Sequence, residues 1–90
     1  LDPKYRAPAS VSEIDLSRFQ LASAKEEFNR KNYIKAQEIL TKLIVEYPHA
    51  RRIAEAYFLL AESYFLSGQQ EKCLDVVYDM MTMFPSEEVT

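Results

Sequence analysis

Residue types that carry out chemistry are sparse in this chain of 90 residues. His49 is the one histidine and Cys73 the one cysteine. A nucleophilic site needs a base beside the nucleophile, and a zinc site needs several ligands at regular spacing. We therefore expect His49 to be an exposed turn residue and Cys73 to be a buried, unreactive thiol at a helix contact. A single glycine cannot form a phosphate-binding loop, so we predict no enzyme activity, metal or cofactor.

Composition and charge narrow the function further. The net charge of −3 gives no sign of a nucleic-acid-binding surface, which requires a clustered basic face. The nearest approach to such a face is Arg51-Arg52, which we predict to be a solvated turn, and the acidic pairs Glu26-Glu27 and Glu87-Glu88 are predicted to be solvated faces. The apolar runs are far shorter than the ~20 residues of a membrane-spanning helix. We expect no nucleic-acid partner and no membrane insertion by this segment, whereas one cysteine leaves the redox compartment open.

Apolar residues recur at helical spacing in four stretches. The first predicted helix begins at Ser10 or Ser12, both of which suit a cap, and ends near 30–32, where Asn32 tolerates a left-handed conformation. The other three are predicted at about 33–47, 52–66 and 71–84. Their ends coincide with Pro48, with Gly68, which suits a position of positive φ, and with Pro85. Short connections between these helices predict antiparallel packing of neighbours.

The helical region is predicted to lie between two short end segments. Residues 1–10 contain Pro3 and Pro8 and no helical period, which indicates an extended arm. The helical domain is predicted over residues 11–86 and a tail over 87–90. Because the chain opens with Leu1 and not with Met, we expect it to be a processed protein or a piece of a longer one.

An internal repeat organises these helices. The segment 32–36 leads to Glu46-Tyr47-Pro48, and the similar segment 69–73 leads to Met83-Phe84-Pro85. The two prolines lie 85 − 48 = 37 residues apart. A period of this size, built from helix pairs, is typical of stacked helical hairpins that present a binding surface and seldom hold a reaction centre.

The second unit resembles the tetratricopeptide repeat (TPR). The positions that carry its pattern are Tyr57, Leu60, Ala61, Tyr64, Gly68, Cys73, Val77, Met80 and Pro85. The first unit fits the pattern at Ala24, Ala36, Leu40, Leu43 and Pro48. It departs from the pattern at Gln20, Ser23 and Glu27, and this polar half suits a terminal repeat without a neighbour. The resemblance covers residues 17–86 and implies an all-α, right-handed superhelical stack of two antiparallel hairpins.

A lengthened joint after the first unit is similar to one branch of this family. The residues beyond the usual period fall at Arg51-Arg52-Ile53. Such a joint resembles bacterial cell-envelope members, among them the lipoprotein of the outer-membrane β-barrel assembly machine and the Tol–Pal-associated coordinator of division. The resemblance implies a periplasmic or envelope-associated protein, and a cytoplasmic location stays open.

In this family the first helix of each hairpin lines a concave groove that binds proteins. Transferred to this chain, the groove positions are Arg18, Leu21, Lys25, Phe28, Asn29, Glu55, Phe58, Glu62 and Phe65. We predict that the groove holds a peptide or a helix, with affinity from Phe58 and Phe65 and orientation from Arg18, Lys25 and Glu62. The alternative is that Phe28 and Phe65 only pack between repeats.

The last predicted helix is apolar on more than one face and therefore needs a cover on both sides. Its candidate assembly surface consists of Tyr78, Met80, Met81, Met83 and Phe84. Three hypotheses follow. The chain is a protein-interaction scaffold of a bacterial envelope complex, or a self-assembly module that uses this helix against a copy or against the arm, or a regulatory domain of a larger enzyme. The expected partner is another protein or the chain itself.

Overall fold

A computed structural model describes the backbone of residues 9–84 and the side chains of residues 16–84. This part of the chain consists of four helices and contains no strand: α1 (Ala9–Asn29), α2 (Tyr33–Glu46), α3 (Ile53–Leu66) and α4 (Gln70–Met83). The all-α class is therefore confirmed. Residues 1–8 of the predicted arm, Pro85 and the predicted tail lie outside the described residues.

α2 and α3 end close to Pro48 and Gly68, the residues that were expected to end them. The bounds of α2, α3 and α4 agree with the prediction to within one residue. α2 ends at Glu46, two residues before Pro48, because proline disfavours the helical conformation of the residue that precedes it. α1 begins at Ala9, so Ala9 and Ser10 belong to a helix and not to an arm. The side chains of the predicted cap, Ser10 and Glu13, lie outside the described side chains.

The turns after α1 and α3 have the same backbone geometry. Gly68 has a φ of +82°, as predicted, and Lys31, 37 residues earlier, has a φ of 67°. The next residue donates its N–H across each turn: Asn32 to the carbonyl of Glu27 and Gln69 to that of Tyr64, both at 2.8 Å. The expectation that Asn32 takes the left-handed position is wrong. Its φ is −88°, because this bond requires the residue before it to be left-handed.

Each helix packs against the next one along the chain, and α1 also contacts α3. The buried apolar side chains come unequally from the four helices. They are Leu21 and Ala24 of α1, Ala36, Leu40 and Leu43 of α2, Ile53, Ala56, Tyr57, Leu60 and Ala61 of α3, and Val76 of α4. α3 thus lies at the centre of the core, whereas α4 adds one buried residue to it.

A buried polar network ties α2 to the turn between α3 and α4. The Nε2 of Gln37 donates to the carbonyl oxygen of Ser63 and to the Oγ of Ser67, each at 3.1 Å. The Nε2 of Gln69 in turn donates to the Oε1 of Gln37 at 3.2 Å. A buried amide satisfied in this way stabilises one relative position of the helices, since a shift would leave its polar atoms without partners.

Candidate functional site

An open apolar groove of about 760 Å³ runs between α3 and α4. We refer to it as the α3–α4 groove. Its lining residues are Ala54, Phe58, Ala61, Glu62 and Phe65 of α3, Cys73, Val77, Met80 and Met81 of α4, and Phe84 directly after α4. In both sets the last four of these residues lie four, seven, eight and eleven positions after the first. This spacing places each set on one face of its helix.

The walls of the groove are large apolar side chains that lie open to solvent. Phe58, Phe65 and Met81 are 61%, 58% and 68% exposed. Ala61 is buried beneath them, and Met80 is half-buried. Contiguous exposed apolar surface of this kind marks interaction sites in soluble proteins, whereas single exposed residues do not.

Charge is scarce in this groove. Of the described residues that line it, Glu62 alone is charged, and its side chain is exposed. A single carboxylate among aromatic and methionine side chains gives an apolar ligand one preferred orientation, with a cation beside Glu62.

Contacts between α3 and the end of α4 hold Phe84 in the groove wall. The rings of Phe84 and Tyr57 meet edge to face, with centroids 5.6 Å apart and an interplanar angle of 72°. The hydroxyl of Tyr57 donates to the Sδ of Met83 at 3.3 Å. Burial raises the pKa of Tyr57, and the charge of Asp79 raises it further. Tyr57 therefore remains a neutral hydrogen-bond donor at physiological pH.

Residues of two surfaces that were predicted to be separate line a single groove in the structure. Phe58, Glu62 and Phe65 were predicted to belong to a concave groove, and Met80, Met81 and Phe84 to an assembly surface. All six line the α3–α4 groove. The two remaining residues of the predicted assembly surface, Tyr78 and Met83, are exposed but do not line it.

Three residues predicted to face a ligand instead join α1 to α3. Leu21 is buried in the core. The Nζ of Lys25 lies 2.5 Å from a carboxylate oxygen of Glu55. The hydrogen bond from Lys25 lowers the pKa of Glu55, and the charges of Lys25 and Arg52 add to this effect. Leu21, Lys25 and Glu55 do not line the α3–α4 groove: Lys25 and Glu55 pair with each other at 42% and 39% side-chain exposure, and Leu21 lines a different pocket together with Arg18.

The remaining predicted positions lie apart from the groove. Phe28 is half-buried and packs edge to face on Tyr33 of α2, within the first hairpin, with ring centroids 5.4 Å apart. Asn29 is exposed. Arg18 is exposed at the edge of a separate pocket of about 410 Å³ that includes Arg51 and Arg52.

Sequence reasoning missed four lining residues: Ala54, Ala61, Cys73 and Val77. Cys73 is half-buried, not fully buried as expected, because α4 is covered on only one side. The signal that could have found them is the identical spacing on two neighbouring helices.

The described side chains hold no group of three or more His, Cys, Asp or Glu residues placed to bind a metal ion. Of the helices in the described part of the chain, none has the length and apolarity needed to cross a membrane. His49 is exposed in the turn before α3.

No family model, curated protein or solved structure matches this chain. The likeness to the TPR family therefore rests on the sequence positions quoted above. A function for the chain has to be inferred from the geometry of the α3–α4 groove and from the internal repeat.

Proposed function

We propose that this protein is a non-enzymatic protein-binding module whose α3–α4 groove takes up an amphipathic helix. One observation carries the proposal. The equivalent groove one repeat earlier, between α1 and α2, already receives a helix, α3, beside which a pocket of about 410 Å³ remains at Ser17, Leu21 and Leu43.

The two grooves can be compared position by position. Subtracting 37 from the lining residues of the α3–α4 groove gives Ser17, Leu21, Ala24, Lys25 and Phe28 of α1, Ala36, Leu40, Leu43 and Ile44 of α2, and Tyr47 directly after α2. All ten of these residues are buried or half-buried. α3 packs against both α1 and α2. The groove that lies open therefore has the same design as one that receives a helix inside the same chain.

The energetics favour a helix over a smaller ligand. Full burial of Phe58, Phe65 and Met81 would each contribute about 1.5–3 kcal/mol. The loss of translational and rotational freedom on association opposes this gain by about 4–15 kcal/mol. A ligand must therefore cover all three side chains at once, and a helix with apolar residues along one face does so.

The internal repeat and the sequence resemblance support a proposal about the architecture of the chain and the complex to which it belongs. The 37-residue period, present both in the sequence and in the turns at Lys31 and Gly68, supports a right-handed TPR-like stack of the two hairpins. A place in a bacterial envelope complex, in the periplasm or attached to the envelope, is supported by the sequence resemblance alone. Self-assembly is a second use of the same groove, favoured by the exposure of Met81 and Phe58.

A peptide derived from α3 tests the proposal. The peptide consists of residues 52–66 with the substitution Glu55→Lys. Inside the chain Glu55 pairs with Lys25, whereas the equivalent position of the open groove holds Glu62, so a lysine replaces Glu55 in the peptide. We expect the peptide to shift the methionine methyl resonances of Met80 and Met81 in a saturable manner. The methyl of Met83, which does not line the groove but contacts Tyr57 beside it, should shift less.

Two adjacent residues of α4 provide matched variants for this titration. Val77→Glu places a carboxylate in the groove and is expected to abolish the saturable shifts. Tyr78→Glu changes an exposed residue outside the groove and should leave them intact. Unchanged Met80 and Met81 resonances at saturating peptide, or equal binding by both variants, would contradict the proposal.

A further inference from the structure

We propose that the helix received by the α3–α4 groove is α1 of a second copy of this chain, so that copies join head to tail. This inference rests on the function proposed for the groove and names its occupant. The joint between α1, α2 and α3 serves as an internal template for the joint between copies.

Charge complementarity is the first reason. In the internal joint, Lys25 of α1 pairs with Glu55 of α3. The residue that lies 37 positions after Lys25, on α3, is Glu62. The residue that lies 37 positions before Glu55, on α1, is Arg18. Both charges are reversed, so an α1 helix that docks as α3 does would again bring opposite charges together, Arg18 against Glu62.

Both partners are available for this contact. Arg18 and Glu62 are exposed, and neither is among the ion pairs of the described side chains, which use Lys25, Arg30 and Arg52 with carboxylates. The reversal of two charges together preserves the attraction. A change at one position alone would set like charges against each other.

The exposed apolar residues of α1 are the second reason. In the internal joint α3 buries Ile53 and Ala56. One period earlier, α1 carries Leu16 and Phe19, which are 52% and 74% exposed. These two side chains flank Arg18 in sequence and lie on the face that docks, so they have the role of apolar anchors.

The joint between copies is weaker than the internal one. α1 carries Gln20 and Ser23 where α3 carries Tyr57 and Leu60, so α1 is the less apolar of the two helices. Less apolar surface is therefore buried between copies, and the assembly is reversible and depends on concentration.

A face-to-face dimer of two grooves fits the charges less well. It would bring the Glu62 side chains of both copies into one apolar interface, and no lysine or arginine is among the described residues that line the groove. Burial of a charge without a partner is strongly unfavourable. The head-to-tail contact uses two different surfaces, so copies can extend to longer chains or close into a ring.

Sedimentation equilibrium over a hundredfold concentration range tests the inference on the full chain. We expect the weight-average mass to rise past twice the 10.5 kDa of one chain. Arg18→Glu and Glu62→Arg should each weaken association about tenfold or more, because each places like charges together. The double variant, and a mixture of the two single variants, should recover association. Circular dichroism confirms that every variant is folded.

The outcomes separate this inference from the function proposed above. A wild-type mass that stays at 10.5 kDa throughout overturns the second copy as occupant, whereas the α3-derived peptide still decides whether the groove binds a helix. A dimer that does not extend further and that Arg18→Glu leaves unchanged indicates the face-to-face arrangement and overturns the inference. Association that the double variant fails to recover overturns the Arg18–Glu62 contact and with it the docking geometry.

Discussion

Lys31 and Gly68 show how one backbone geometry is met by two different residues. They lie 37 residues apart and have φ values of 67° and +82°. A side chain at such a φ is strained because the Cβ approaches the following carbonyl oxygen, whereas glycine has no Cβ. The turn after α3 is therefore built without strain, and the turn after α1 is not.

This difference predicts stability changes of opposite sign. Gly68→Ala should lower the free energy of unfolding by about 1–2 kcal/mol. No heavy atom lies within 4 Å of the added Cβ, so the cost comes from the backbone alone. Lys31→Gly should raise the free energy of unfolding by up to about 1 kcal/mol, since relief of strain exceeds the added freedom of the unfolded chain. Urea unfolding measures both, and changes of the same sign would refute this explanation.

Among the helices, α4 is the least supported by the rest of the chain. Val76 is its one buried residue, whereas six residues of α3 are buried. An isolated helix of this length is marginal in water and depends on tertiary contacts for its stability. The open α3–α4 groove is thus both the proposed binding surface and the side of α4 that no other helix of the described residues covers.

Hydrogen exchange should report this asymmetry. We expect the amides of α4 to exchange faster than those of α2 and α3, because local opening of α4 exposes little buried surface. Addition of the α3-derived peptide should slow exchange in α4 and leave α2 unchanged. Equal protection of α4 and α3 in the free monomer would show that α4 does not need a partner.

The molecule as a whole is thin. Its principal extents are 51 × 37 × 18 Å, and the shortest is less than two helix diameters of about 10–12 Å each. Most residues therefore lie near solvent, and a small number of fully buried side chains supply the core. The largest of these are Leu40 and Leu43 of α2.

Global stability should consequently depend on single core residues. Leu40→Ala is expected to cost about 2–5 kcal/mol, because the cavity beneath α3 cannot collapse freely. This is a large share of the roughly 5–15 kcal/mol that stabilises a typical domain. Leu74→Ala, at a position 67% exposed on α4, should change stability by less than about 0.5 kcal/mol. Thermal unfolding followed by circular dichroism compares the two, and similar effects would contradict this assignment of the core.

The helices were predicted from the sequence more accurately than the candidate site was. The bounds of α2 to α4 were predictable to within one residue, since apolar spacing, Pro48 and Gly68 act locally. Phe58 and Met81 were both recognised as surface residues. Their union in one groove was not predicted, because it depends on the face that α3 presents to α4.

Local chemistry along the chain is sufficient to specify four helices, their turns and the 37-residue period. The same chemistry cannot tell which of two equivalent faces is covered. Leu21 and Phe58 occupy the same position in successive units, and the first is buried whereas the second is exposed. The difference is α3, which lies over α1 and α2 and has no counterpart over α3 and α4 in the described residues. Burial depends on a neighbour that is distant in sequence, so it follows from packing in three dimensions and not from the pattern of residues.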